Sequence, residues 1–446
     1  MKSDLSTIYA RVLNPGQVRL MGEIGFLLEV ERARGTKVTD SKGKVYTDFF
    51  GGYGVLTFGH NHPVIADAIR AHLDYEAPIV CQASLLRPTA NLAEQLVDEV
   101  YGRPGYVFFG NSGTEAVEAA IKVAKGYHGE RRHGILSLDG GFHGKTIGSL
   151  SVSGREKYKQ LFRPLMPGGV TVPINDIAAV TRELNTKKYA AIIIETVQGE
   201  GGVHVCTPEF IAAVAEACQR TKTLLIDDSV QTGLGRCGSM YGMQSYGVVP
   251  DIICLSKALG GGFVAIGATI TRASVWEKVY GSNESCLAHT STYGGNGLAT
   301  TVGLAALSLV TDELMLNCDF RSEQLITGLQ EIARDFSDLV EDVRGQGLLL
   351  GIEMKALSGI TGKLIGGFGH LTSGTSGSDL TAALVAGLLR QRGFLTVFTL
   401  NQPNVIRIEP PLIVTEEECA AFLLALRESL KQLREEKLSA ALNVKK

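Results

Sequence analysis

Between about Pro63 and Leu309, short unbroken apolar runs alternate with stretches of helical periodicity. The runs 106–109, 135–138, 190–194, 223–226, Ile252–Leu255 and 264–270 read as strands covered on both faces. Between several of them, 115–125 and 208–220 space their apolar side chains three and four apart, as an amphipathic helix does. Continuously apolar strands separated by helices predict an α/β domain with a mainly parallel sheet. The two ends follow another pattern. Segments 20–50 and 311–432 mix short strands with two long charged helices, near 319–336 and 415–438. A Gly/Ser/Thr-rich stretch, 358–378, reads as a mobile loop and a candidate lid. The expected division is a large domain over 63–310 and a smaller α+β domain built from both chain ends, 1–62 and 311–446. The chain beyond Glu436 is expected to fray. No internal repeat is visible.

Composition narrows the choices. The 446 residues are 45% hydrophobic with a formal net charge of −3, so there is no basic footprint for nucleic acid. No apolar stretch is long enough to cross a bilayer, and Met1-Lys-Ser-Asp-Leu-Ser-Thr lacks the apolar core of a signal peptide. The eight cysteines are scattered, without a CxxC pair or a Cys/His cluster at metal spacing. Reduced thiols in a cytoplasmic protein, with no metal, are the simplest expectation.

The chemistry centres on Lys257. It stands between the apolar run Ile252–Leu255 and the glycines 260–262. A lysine held there by rigid backbone, away from bulk water, has a lowered pKa and reacts readily with a carbonyl. About thirty residues earlier, a second strand-like run ends in Asp227 and Asp228. A buried acid beside a buried lysine suggests pyridoxal 5'-phosphate (PLP), with lysine on the aldehyde and carboxylate on the pyridine nitrogen.

Three glycine motifs bear on that reading. Asn111-Ser-Gly-Thr-Glu-Ala116 follows a strand and opens a helix, with Ser112 and Glu115 at capping-box spacing. Gly113 and Thr114 at a helix N-terminus make a phosphate site, and a plain capped helix is the equal alternative. Asp139-Gly-Gly-Phe-His-Gly-Lys-Thr146 fails as a P-loop because Asp139 takes the place of its first glycine. Phe142, between glycines, either stacks on a pyridine ring or is core. Gly233-Leu-Gly-Arg-Cys-Gly238 matches GxGxxG, yet no clear helix follows and no acid stands at the required distance, so a dinucleotide site is rejected.

Taken together, the motifs resemble those of the class III aminotransferases of the ornithine, acetylornithine and putrescine type. These are PLP enzymes of fold type I. The resemblance covers nearly the whole chain and is closest to putrescine-type members. Its pieces occur in order: Gly59-His-Asn-His-Pro63, Asn111-Ser-Gly-Thr-Glu-Ala116, Phe142-His-Gly-Lys145, Glu195-Thr-Val-Gln-Gly-Glu-Gly-Gly202, Asp228-Ser-Val-Gln231, Leu255-Ser-Lys-Ala-Leu-Gly-Gly261, Thr292-Tyr-Gly-Gly-Asn296 and Arg407-Ile-Glu-Pro-Pro-Leu412.

The resemblance implies roles. Lys257 holds PLP and moves the substrate proton, and Asp228 keeps the pyridine nitrogen protonated. Val230 and Phe142 cover the two ring faces, and Gln231 bonds the phenolic oxygen. Gly113 and Thr114 hold the phosphate in one subunit of a homodimer, and Thr292 completes it from the other. Arg407 binds the carboxylate of the oxo-acid, and Glu200 pairs with Arg407 when that carboxylate is absent. Glu195 has a supporting place near the cofactor, and Tyr53 lies in an aromatic stretch (Phe49, Phe50, Tyr53, Phe58) lining the substrate channel.

Two positions depart from the family. Ser229 replaces the usual glutamate after the pyridine aspartate. Lys145 stands where ornithine and acetylornithine enzymes carry an arginine for the α-carboxylate, and a lysine cannot make that bidentate fork. The departure favours a terminal amine or aldehyde, putrescine-like or alkyl, paired with 2-oxoglutarate or pyruvate. A racemase or aminomutase on the same scaffold is the alternative enzyme class. A non-enzymatic PLP-binding regulator would need a DNA-binding module or a damaged site, and neither is visible.

Overall fold

The computed structural model describes residues 4–23, 26–80, 83–102, 104–356 and 377–443. Its centre is a seven-stranded sheet. In spatial order the strands are Gly105–Gly110, Gly267–Arg272, Ile252–Leu255, Leu224–Asp228, Tyr189–Ile194, Gly134–Leu138 and Gly169–Val172. Only Gly267–Arg272 runs against the others. Four of these strands, Gly134–Leu138, Tyr189–Ile194, Leu224–Asp228 and Ile252–Leu255, are buried at every position, which is why they read as unbroken apolar runs. Helices Gly113–His128 and Pro208–Thr221 are capped by Ser112 and Thr207, whose hydroxyls accept the backbone N–H three residues on.

The chain ends meet. Strand Val45–Asp48 pairs parallel to Phe394–Leu395. Phe49 stacks on Phe422 at 4.2 Å and meets Phe394 edge-on at 5.6 Å. A second sheet joins Val340–Gln346, Leu349–Met354, Val405–Ile408 and Val397–Phe398. It packs under helices Asp312–Asp335, Gly377–Gln391 and Glu416–Asn443 in a core separate from that of the central sheet. No single described helix is long and apolar enough to cross a membrane.

Several expectations shift. The first long charged helix begins at Asp312, seven residues before 319, because the Thr311 hydroxyl caps it by accepting from Leu314 N–H. The strand expected over 264–270 is Gly267–Arg272, since Val264 still belongs to the turn closed by its N–H to the Gly260 carbonyl. The short strand Gly169–Val172 had no signal, being a half-exposed edge of four residues. Phe49 and Phe58 are buried core side chains and do not line the cavity at Lys257. The stretch 358–378 lies outside the described residues except for its last two positions, which open helix Gly377–Gln391. Beyond Glu436 the backbone stays helical to Asn443.

Candidate active site

Five loops leave the carboxyl ends of the central strands and converge, the usual place for a ligand in an open α/β sheet. They carry Gly113 and Thr114, Phe142 to Lys145, Glu195, Asp228 with Val230 and Gln231, and Ser256 with Lys257. Together these residues line a cavity of about 300 Å³. Lys257 follows its strand with φ 42°, a left-handed conformation that a non-glycine residue rarely adopts. Strain of this kind persists where the surroundings impose it, and it gathers at functional sites. The side chain is half-buried at the cavity wall, and its amine donates to Gln231 Oε1 at 2.6 Å. Burial pushes its pKa below that of an ordinary lysine.

Adjacent strand residues point to opposite faces, and this separates the two aspartates. Asp228 lines the cavity. Its Oδ2 lies 2.7 Å from Nδ1 of buried His143, and its Oδ1 accepts the Val230 N–H at 3.2 Å. Burial alone would lower the His143 pKa, but the bond to Asp228 outweighs it and raises the value. Asp227 turns the other way and accepts the Met243 N–H at 2.9 Å, and burial pushes its carboxyl up to about 7. Ser229 serves this second face. Its hydroxyl hydrogen-bonds Asp227 and accepts the Gly242 N–H at 2.8 Å. Glu195 accepts from Phe142 N–H at 2.6 Å and Gly199 N–H at 3.3 Å, and burial raises its pKa to about 7.

The flat space beside these groups is enforced by glycine. A Cβ on Gly113 would come within 2.8 Å of Val230 Cγ1, and one on Gly144 within 2.3 Å of the Thr114 hydroxyl. Thr114 also bonds Thr146 and Ser149 at the N-terminus of helix Gly113–His128. Lys145 is exposed at the rim, its amine 5.8 Å from the Phe142 ring centre and 5.2 Å from that of Tyr158. Thr292 lies away from this cavity, in a separate depression with Val80, Leu86 and Gly295.

Arg407 is fully buried. Its Nη1 donates to Glu200 at 2.6 Å and to the Gly199 carbonyl at 3.2 Å, and Nη2 has no hydrogen-bond partner among the described residues. Burial would raise the Glu200 pKa, but Arg407 overrides it and holds the carboxyl below its usual range. The ring of Tyr53 packs 5.1 Å from the guanidinium, at φ 60° in a turn where Gly51, Gly52 and Gly54 also have positive φ.

A lysine beside an acid–imidazole pair, a flat slot and a helix N-terminus fit PLP. The class-III aminotransferase family pattern matches residues 21–430.

The chain belongs to the class-III aminotransferases.

PLP is its cofactor. This aminotransferase is 35% identical over 446 residues to a putrescine aminotransferase of Pectobacterium atrosepticum, across 97% of this chain and 90% of that one. It is 36% identical to the aminotransferase PigE of Serratia over 95% of this chain, and it spans only 53% of that longer protein. Among solved structures, an ornithine aminotransferase from Toxoplasma gondii aligns at TM-score 0.81 and 26% identity over 98% of this chain and 100% of that one. A PLP-bound amine transaminase from an uncultivated Pseudomonas species aligns at 0.79 and 29%, over 91% and 95%.

Three residues escaped the reading of the sequence as site components. His143 bonds Asp228 across 85 positions, so no local signal pairs them. Glu409 stands two positions from Arg407, directly after strand Val405–Ile408, and points to the same side, a spacing that was readable. Arg236, inside the rejected GxGxxG motif, is a buried guanidinium donating to the carbonyls of Leu348 at 3.0 Å and Pro410 at 2.5 Å. The motif is a tight turn that holds this arginine.

Proposed function

We propose that this aminotransferase moves an amino group between a terminal amine or aldehyde and an oxo-acid such as 2-oxoglutarate or pyruvate, by a ping-pong cycle. The observation that carries this reading is the Arg407–Glu200 pair at 2.6 Å beside Lys257. A guanidinium with a displaceable carboxylate suits a site that takes a substrate with a carboxylate in one half-reaction and one without it in the other. An isomerase, which returns the amine to the same skeleton, has no need of such a switch.

Bound PLP supplies an aldehyde to carry the amino group and a ring to accept the electrons left when the substrate carbon loses its proton. Lys257 Nζ anchors it, then takes that proton as base and returns it as acid. Asp228, held by His143, would face the ring nitrogen and keep it protonated. Phe142 and Val230 exclude water from the two ring faces. The backbone of Gly113 and Thr114 at the helix N-terminus takes the phosphate. Gln231 would bond the phenolic oxygen. Tyr53 and Lys145 border the substrate path. The same reading keeps 63–310 as the cofactor-binding domain, with 1–62 and 311–446 forming the smaller one. Its support is the pairing of Val45–Asp48 with Phe394–Leu395.

Lys145 cannot grip an α-carboxylate in a fork, which argues for a terminal amine as the primary substrate. A panel of putrescine, hexylamine, ornithine and N-acetylornithine tests this, scored by conversion of PLP to pyridoxamine phosphate with amine alone and then by kcat/KM. A terminal amine should lead. Ornithine or N-acetylornithine ahead by tenfold, about 1.4 kcal/mol of transition-state binding, would overturn the substrate assignment.

The working unit in this reading is a homodimer in which Thr292 completes the partner's phosphate site. The support is its distance in the fold from the cavity of its own chain, together with the exposed apolar side chains of Leu85, Leu287 and Tyr293. Mixing inactive Lys257→Ala chains with inactive Thr292 variants should restore part of the activity through hybrid sites. A fully active monomer at assay concentration would rule this out. A cytoplasmic location is supported by the seven described cysteines, all free thiols, and cell fractionation tests it.

A further inference from the structure

Glu409 has no role in the chemistry described above, yet it is a fully buried carboxylate beside the site. It follows strand Val405–Ile408, and its own N–H donates to the Phe49 carbonyl at 2.9 Å. Both carboxylate oxygens lie 3.0 Å from Gln231 Nε2. Oε2 is 3.1 Å from Arg407 Nε, and Oε1 is 3.8 Å from Arg236 Nε. The turn carrying Tyr53 closes over it so tightly that a Cβ on Gly54 would stand 2.5 Å from Oε1.

Hydrogen-bond chemistry gives this contact a direction. A carboxylate between two guanidiniums offers only acceptors, so Gln231 must turn its NH2 toward Glu409. Its carbonyl oxygen is then left facing Lys257, where it accepts the Nζ–H at 2.6 Å. With Glu409 removed, the Gln231 NH2 loses its acceptor, and only the donation from Lys257 still holds the amide in this sense. The same carboxylate pairs by charge with Arg407 at 3.1 Å from Nε, without a hydrogen bond, while Glu200 and the Gly199 carbonyl accept from Nη1. When an oxo-acid carboxylate displaces Glu200, Glu409 is the acid that stays and keeps the guanidinium aimed.

We propose that Glu409 is a positioning residue that orients both Gln231 toward Lys257 and Arg407 toward the oxo-acid carboxylate. This rests on the functional reading above. The charged groups acting on Lys257 are Glu409, Arg407, Glu200 and Glu195, with Glu409 the strongest of them, so its loss has a definite sign. The protonated nitrogen loses a nearby negative charge and the group that anchors its acceptor, Gln231.

The test is a pH titration of the visible absorbance of the lysine-bound cofactor in wild type, Glu409→Ala, Glu409→Gln, Gln231→Ala and the Glu409→Ala/Gln231→Ala double variant. The midpoint in Glu409→Ala should move down by about one pH unit. The shift that Glu409→Ala causes should be smaller in the Gln231→Ala background, because the part of it that passes through the oriented amide is already lost. KM for 2-oxoglutarate should rise at least tenfold more than KM for the amine. Glu409→Gln keeps the shape without the charge. It should move the midpoint and the oxo-acid KM in the same directions by smaller amounts, and it decides the matter if the alanine variant does not fold. An unmoved midpoint and an unchanged oxo-acid KM in the folded variants overturn the inference, as does an equal midpoint shift in both backgrounds. A wild-type protein that binds PLP without a lysine-dependent visible band overturns the functional reading, and this inference with it.

Discussion

Lys257→Ala should abolish transamination, with turnover falling by about 10⁴-fold or more. A positioned acid–base group contributes roughly 10²–10⁴, and this variant also loses the attachment point of the cofactor. The two other basic side chains lining the cavity are not placed to replace it. His143 is committed through Nδ1 to Asp228, and Lys145 lies exposed at the rim, 5.8 Å over the Phe142 ring. The fold should survive, because the removed amine is one whose protonation the folded chain already resists. Steady-state rates with saturating PLP, amine and oxo-acid measure the loss, and a thermal melt checks the fold. Ordinary turnover in a folded variant would mean that another group carries the proton.

Asp228→Asn should retain PLP but lose activity by about 10²–10³-fold, the scale of removing one preorganised electrostatic contact to a transition state. An amide is nearly the same shape as a carboxylate but brings no negative charge to the ring nitrogen. The imidazole of His143 reports the same loss. Its raised pKa comes from the bond to Asp228 working against burial, so with a neutral partner burial prevails and the pKa falls. In wild type the stability from this pair is present below the unfolded histidine value of about 6.5 and is lost as pH rises through the higher folded value. The variant should lack that dependence. Absorbance measures loading, half-reaction rates measure the loss, and NMR titration follows His143. Rates near wild type would show that no acid is needed at the ring nitrogen. Asp227 cannot stand in for it, since it faces Met243 N–H and Ser229 on the opposite side of the strand.

Residue chemistry and chain order made the parallel sheet, the lysine after its strand and the helix capped by Ser112 predictable, and the family resemblance implied the Arg407–Glu200 pair. Each rests on local periodicity, on a turn residue beside a strand end, or on motifs met in sequence. Strands buried on both faces are apolar throughout, so Ile252–Leu255 announced itself. The edge strand Gly169–Val172 is half exposed and did not. Asp227 and Asp228 are neighbours of identical chemistry. Only the orientation of the strand in the sheet assigns one to the cavity and the other to Ser229 and Met243.

Other features exist only in three dimensions. His143 meets Asp228, and Glu409 meets Gln231, across 85 and 178 positions of chain. Buried charges need partners, and which partners they find depends on how the sheets and turns pack, not on spacing along the chain. The aromatic stretch near Tyr53 makes the same point in reverse. Four similar rings in ten residues look alike in sequence, yet packing sends Phe49 and Phe58 into two different cores. It leaves Tyr53 against Arg407, because the positive-φ glycines around it turn the backbone toward the site.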